Sequence, residues 1–244
     1  MNETTLLQVS GLKKAFGGLV AVNDIDFQIE AGEVLGVIGP NGSGKSTLLN
    51  LITGETKKDT GAVKLNGNDI SAMQPHQICR NKISRTFQLV RVLPTMTVEE
   101  NVMVGLLFGS ERKNFNECRD EIARLLSSVD LEEKSGFLAS QLTYIDKKRL
   151  ELARALANQP ILLLLDEWLA GLNPSELEES INLVKRLQES GITLVIVEHV
   201  MHAIRSLCDR VFVMNLGQKI VEGTPDYVLS HADVVSAYLG DESE

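Results

Sequence analysis

Gly39-Pro40-Asn41-Gly42-Ser43-Gly44-Lys45-Ser46-Thr47 stands between an apolar run at 34–38 and a helical pattern at 45–52. A buried strand running into a glycine-rich turn and then a helix is the context in which GxxxxGK[ST] cradles phosphate. Each residue type has a reason. Glycine lets the backbone curl until successive N–H groups converge on one phosphate. The helix starting near Lys45 adds the positive end of its dipole. Lys45 brings a full charge; at ~4 Å and an effective dielectric of about 20, that attraction is about 4 kcal/mol before desolvation. The Ser46 hydroxyl suits Mg2+, and Thr47 can hydrogen-bond a phosphate oxygen.

A second element completes the pattern. The apolar run 161–165 ends in Asp166 and Glu167, so a buried strand delivers two carboxylates at its C-terminal end, where α/β sheets bind ligands. Adjacent carboxylates there are costly without a cation nearby. Asp166 is then the Mg2+ partner through water, and Glu167 the base that polarises an attacking water. The two elements together predict an α/β P-loop NTPase core.

Outward from this centre, short β-branched or apolar runs alternate with longer helical patterns, as expected for a mainly parallel sheet. Residues 6–9 and 25–29 read as N-terminal antiparallel strands broken by Gly17-Gly18. Helical patterns dominate from about 97 to 157, including 117–129 and 147–157. The chain is therefore read as one domain over 1–244, with its core at about 1–87 and 160–244 and an inserted helical subdomain at about 88–159. A helix at 175–189, a strand at 193–197, a helix near 201–207, a strand at 211–214 and a short helical tail after Gly223-Thr224-Pro225 complete the pattern.

Composition is ordinary for a globular chain, with 43% hydrophobic and 23% charged residues. The formal net charge of −9, from 33 acidic against 24 basic side chains, argues against nucleic acid as a partner. Cys79, Cys118 and Cys208 form no CxxC pair, which favours a reducing compartment over a disulfide framework or zinc site. No run approaches the ~20 apolar residues that a membrane span needs.

Several P-loop families share the features above, and the residues between and after the two halves separate them. Gln88 closes Arg85-Thr86-Phe87-Gln88; Leu142-Thr143-Tyr144-Ile145-Asp146 runs straight into a helical pattern; His199 follows the strand at 193–197. This order resembles the ABC ATPase family across essentially the whole chain. The resemblance implies ATP and Mg2+ as ligands, with Phe16 stacking on adenine and 39–47 holding the phosphates. Ser46, Gln88 and Asp166 would meet the metal, with Lys45, Glu167 and His199 as the catalytic set. Thr143, Tyr144 and Ile145 resemble the signature that contacts the γ-phosphate bound to a second ATP-binding subunit. It further implies transmembrane permease subunits, an indirect solute-binding protein, and a peripheral place on the cytoplasmic face of the cell membrane. The stretches 85–88, 93–102 and 170–174, with the tail 222–225 and 237–240, resemble the ATP-binding subunits of branched-chain amino-acid uptake systems.

Departures from the family pattern leave other readings open. Ile145 replaces a glycine of the signature, which is harmless if the site needs helical φ but strained by about 1–3 kcal/mol if it needs φ > 0; a residue beginning a helix favours the first. Thr143 with Asp146 also satisfies a capping-box pattern. Lys147-Lys148-Arg149 could offset the charge of Asp146 or form a solvated helix face. Trp168 stands where a proline is usual, Asn173 where an aspartate is common, and Val200 likewise. A non-hydrolysing regulatory subunit and an ABC ATPase outside transport, such as one of iron–sulfur assembly, are the alternatives.

Overall fold

A computed structural model of the chain describes residues 5–109 and 115–239; the polar residues 1–4 and Gly240 of the expected tail lie outside them. The strands are Thr5–Phe16 (β1), Leu19–Glu30 (β2), Val34–Ile38 (β3), Thr60–Leu65 (β4), Asn68–Asp69 (β5), Ile83–Arg85 (β6), Leu162–Asp166 (β7), Thr193–Val197 (β8), Arg210–Asn215 (β9) and Gln218–Gly223 (β10). The α-helices are Lys45–Ile52 (α1), Pro75–Arg80 (α2), Val98–Phe108 (α3), Phe115–Ser128 (α4), Tyr144–Leu156 (α5), Pro174–Glu189 (α6), Met201–Leu207 (α7), Pro225–Ser230 (α8) and Ala232–Leu239 (α9).

Two sheets hold the strands. The first is antiparallel, in the order β2-β1-β4-β5. The second runs β10-β9-β3-β8-β7-β6, parallel except for the β9–β10 hairpin. β3, β7 and β8 are buried along their whole length, because both faces of this sheet are covered; that is why they read as continuous apolar runs rather than alternating ones.

The strict alternation of side chains then divides the interior in two. Leu35, Val37, Leu162, Leu164, Val195 and Val197 join a core with α1 and the antiparallel sheet. Their neighbours Val34, Ile38, Leu163, Leu165, Leu194 and Ile196 join a second core with the helices on the other face. Helices α3, α4 and α5 fall between β6 and β7 in the chain and pack into this second core through Val102, Leu106, Ile122, Leu126, Leu150 and Ala153.

Several elements differ from the sequence reading. The N-terminal strands are far longer than 6–9 and 25–29, and Gly17-Gly18, with Gly17 at φ 58°, is the hairpin turn that separates them. Register shifts between Val9 and Leu12 and between Leu12 and Lys14 scramble the alternation that would have revealed the continuation. β4, α2 and β10 carry too little periodicity to be legible: α2 spans 6 residues, and β10 is a polar edge strand. The Lys147-Lys148-Arg149 run is no uniform solvated face, since Lys148 is fully buried. Asn173 caps α6, accepting from the Glu176 N–H while Glu176 accepts from the Asn173 N–H, each at 3.0 Å.

Candidate functional site

The loop from Gly39 to Gly44 is shaped by what glycine permits. Gly39 and Gly44 have φ of 149° and 104°, and a Cβ on either would lie 2.1 Å from a backbone oxygen, of Met214 and Ala21 respectively. No other residue fits. Pro40 and Ser43 are buried, Asn41 and Gly42 are exposed, and Gly44 is the N-cap of α1. The buried Lys45 curls back so that its ammonium donates to the Gly39 and Pro40 carbonyls at 2.7 and 2.8 Å. Burial lowers its pKa, while the Glu167 and Asp166 carboxylates pull it back up. Ser46 and Thr47, on the first turn of α1, are half-buried.

The carboxylate pair lies at the end of β7. Asp166 is buried, with Oδ2 2.7 Å from Arg85 Nη2 on the adjacent strand β6 and Oδ1 without a partner among the described residues. An unpartnered, buried carboxylate oxygen is a donor of the kind a hard, oxygen-seeking divalent cation takes, and the Ser46 hydroxyl on the first turn of α1 is a second donor of that chemistry. The arrangement fits Mg2+.

Glu167 follows at φ 49°, a left-handed conformation uncommon for a residue with a side chain. Its carboxylate is held from two sides: Gln88 Nε2 donates to Oε2 at 2.7 Å, and His199 Nε2 lies 2.9 Å from Oε1. The structure thus brings together Gln88, Glu167 and His199, three residues far apart in the chain. Phe16 ends β1 with half its surface exposed (50%), as a flat apolar platform needs, and the Lys14 ammonium sits 5.3 Å from its ring centroid.

The N-terminus of α5 carries Thr143, Tyr144 and Ile145. Thr143 is the N-cap, accepting from the Asp146 N–H at 3.3 Å and donating its hydroxyl proton to Asp146 Oδ2 at 2.7 Å. The Lys134 ammonium, 2.6 Å away, completes the carboxylate's surroundings. Burial alone would raise the Asp146 pKa; the Lys134 and Thr143 hydrogen bonds outweigh it and hold it below the usual carboxylate range. Ile145 lies inside the helix and is not among the described residues with positive φ, so the substituted position is unstrained. Tyr144 is 52% exposed.

Four residues that the sequence did not assign to the site hold this assembly together. Arg85 neutralises Asp166. Lys148 donates to the Trp168 and Ala170 carbonyls at 2.8 Å each and to the Glu167 carbonyl at 3.3 Å, and the Trp168 indole N–H returns to the Lys148 carbonyl at 3.1 Å. Glu198, fully buried, accepts from the Leu169 N–H at 2.5 Å; burial pushes its pKa up to about 7 against the pull of that N–H and of Lys148. Glu151 accepts from the backbone of the segment around Gln88. A signal for Lys148 was present, because it shares the i, i+4, i+7 stripe of α5 with the buried Leu152 and Ala155. So was one for Glu198, an acid directly after the apolar run 194–197 of β8, much as Asp166 follows the leucines of β7.

The ABC transporter family profile matches residues 22–170. The chain belongs to the ABC transporter family. As an ABC transporter ATPase, it hydrolyses ATP and couples that hydrolysis to transport. It is 37% identical to the high-affinity branched-chain amino acid transport ATP-binding protein BraF of Pseudomonas aeruginosa, over 97% of this chain and 98% of the relative. It is 38% identical to LivG of Escherichia coli, described in the same words, with the same shares covered. Among solved structures, the ADP conformation of MJ1267, an ATP-binding cassette of an ABC transporter, superposes with a TM-score of 0.89 at 32% identity, covering 97% of this chain and 99% of that one. A post-hydrolysis dimer of the ATP-binding cassette MJ0796 bound to ADP and Pi superposes with a TM-score of 0.82 at 28% identity, covering 90% and 99%. Among the described residues of this ABC ATPase, no helix is long and apolar enough to cross a membrane.

Proposed function

We propose that this chain is the ATP-hydrolysing subunit of an importer for branched-chain or related amino acids, working as a dimer on the cytoplasmic face of the membrane. The observation that carries the catalytic reading is the grip of Gln88 and His199 on the two oxygens of Glu167. A base aimed from both sides needs no reorganisation when it takes a proton from water.

In this reading the N–H groups of 39–47 and the Lys45 ammonium hold the triphosphate, Thr47 bonds a phosphate oxygen, and the exposed Phe16 ring stacks on adenine. Ser46, Asp166 and Gln88 would hold Mg2+, which when bound neutralises charge on the phosphate oxygens. His199 orients Glu167 and faces the γ-phosphate. The outward-facing start of α5 supports the dimer: Thr143 and Tyr144 are exposed on this subunit, with N–H groups at a helix N-terminus suited to the γ-phosphate held by a second one. Each half-site is then incomplete alone, and ATP draws the two subunits together. The dimeric cassette among the structural relatives, bound to ADP and Pi, supports a dimer.

The permease would dock at a cleft of about 430 Å³ beside Gln88, lined by Arg85, Phe87, Arg91, Phe108, Glu151 and Arg154. Exposed Phe108 (76%) in that lining, and exposed Leu89 (82%) directly after Gln88 in the chain, support an apolar contact. The relatives BraF and LivG support branched-chain amino acids as the solute, recognised by the permease and a solute-binding protein.

Glu167→Gln is the test. It should bind Mg·ATP, lose turnover and accumulate as a dimer in solution scattering. Retained hydrolysis removes Glu167 as base. Separate monomers, even with the physiological permease supplied, end the dimer reading. Co-purification of a branched-chain amino-acid-binding protein with the complex checks the solute.

A further inference from the structure

Helix α5 touches the Gln88 segment from the side, at two points that bracket it. Glu151, buried on α5, accepts from the Arg91 N–H through Oε1 at 2.8 Å and from the Phe87 N–H through Oε2 at 3.3 Å. One turn further, Arg154 donates to the Arg91 carbonyl. The Arg91 guanidinium lies 3.8 Å from the Phe87 ring centroid and closes the loop on itself. Just past the end of α5, Asn158 donates to Ser84 Oγ at 3.1 Å and to the Cys79 carbonyl at 2.7 Å, anchoring the strand that leads into the loop. Gln88 therefore projects toward Glu167 from a short bridge whose two ends are fastened to α5.

A carboxylate is an expensive fastener. Burial disfavours its charged form, only partly compensated by the two N–H groups and by Arg154 and Arg91. An apolar side chain of similar volume would suit simple packing better. What a carboxylate alone supplies is two acceptors on one rigid fork, which fixes the spacing and tilt of Phe87 and Arg91 together. Glu151 lies eight residues along α5 from the Thr143 cap, about 12 Å at 1.5 Å per residue. One rigid rod thus carries both the segment offered to a second subunit and the fork that sets Gln88.

We infer that Glu151 is a positioning residue for hydrolysis, through which α5 sets Gln88 against Glu167. The inference rests on the reading of Gln88 given above. It assigns Glu151 no contact with nucleotide. It makes the geometry of the base depend on where the signature end of α5 lies.

A double-mutant cycle on the full chain tests it, with Glu151→Gln, Gln88→Ala and the pair, measured as steady-state ATP hydrolysis. Glu151→Gln keeps shape but loses one acceptor, so kcat should fall roughly ten- to hundredfold with KM for ATP within about twofold. The pair should be no slower than the slower single variant. Amide exchange at Phe87 and Arg91 should quicken in Glu151→Gln while the rest of the chain keeps its protection. Wild-type turnover in Glu151→Gln, multiplied losses in the pair, or unchanged exchange at both amides would overturn the inference. Wild-type turnover in Gln88→Ala would sink the reading of Gln88 as well; a loss there beside an unaffected Glu151→Gln sinks the inference alone. Should Glu151→Gln not fold, Glu151→Asp, with its charge withdrawn by one methylene, replaces it under the same expectations.

Discussion

Replacing Lys148 by methionine removes a buried ammonium and leaves a side chain of similar length. The ammonium holds the turn that follows Glu167, with two hydrogen bonds of 2.8 Å to the Trp168 and Ala170 carbonyls and a longer one to the carbonyl of Glu167. Hydrogen bonds to a charged group contribute about 1.5–3 kcal/mol each, so the two short ones amount to roughly 3–6 kcal/mol. Against this stands the desolvation of the ammonium, which lowers its pKa and which Glu198, Glu151 and Glu167 only partly offset. Methionine escapes that cost and keeps the apolar contacts. A net loss of about 3 kcal/mol remains, and for a chain of this length that lowers the melting temperature by roughly 6–12 °C. Differential scanning calorimetry of the full chain reads it, with urea titration as a check. The backbone acceptor of the Trp168 indole survives the substitution, so the emission maximum of the folded protein should not move. A loss under about 1 kcal/mol, or a gain, would refute the reasoning, since desolvation would then cancel the hydrogen bonds.

Three further outcomes are expected. Glu198 carries a folded pKa of about 7 against an ordinary 4.5. It therefore binds its proton more readily when folded, so the stability it contributes is full below about pH 4.5 and lost as pH rises through about 7. Glu198→Gln, neutral throughout and still an acceptor for the Leu169 N–H, should gain on the wild type by up to about 3 kcal/mol between pH 5 and pH 8.5; parallel unfolding curves at the two pH values would deny the shift. Gly44→Ala places a Cβ 2.1 Å from the Ala21 carbonyl oxygen at a φ of 104°, so nucleotide binding should weaken at least tenfold by equilibrium titration, and intact affinity would show that the loop yields cheaply. Trp168, the single tryptophan of the chain, directly follows Glu167, so its emission should change on addition of Mg·ATP; a flat titration with binding proven by calorimetry counts against that placement.

The central elements were legible because they carry local chemistry. The turn 39–47 has a fixed spacing that only one backbone shape serves, and the strand before Asp166 announces its burial by four consecutive leucines. Gln88, Glu167 and His199 were legible one by one, but their meeting depends on β7 and β8 lying side by side, which no local pattern encodes. The second tier of the site was hidden for a related reason. Lys148, Glu198 and Arg85 are charges in the interior, and a charge in a sequence ordinarily signals surface. Position hinted at burial for Lys148 and Glu198, but what each charge does became intelligible only with its partner, a set of carbonyls, a backbone N–H or, for Arg85, Asp166, beside it. The N-terminal hairpin was underestimated because its irregular pairing breaks the period that marks a strand, and β10 because an edge strand needs no apolar face.

The buried pair of Arg85 and Asp166 has a consequence for assembly of the sheet. Leu162, Leu163, Leu164 and Leu165 offer the same side chain to both cores, so hydrophobic alternation says nothing about how β7 aligns with its neighbours. Sliding β7 by one position would replace leucine with leucine on either side at little cost. It would also take the Asp166 carboxylate from the buried guanidinium of Arg85, leaving it only Asn50 and the Glu55 carboxylate at 3.9 Å, at up to about 3–5 kcal/mol. The ion pair is the notch that lets a featureless strand lock in one place, and it keeps Asp166 at the C-terminal end of β7, not one step inside it.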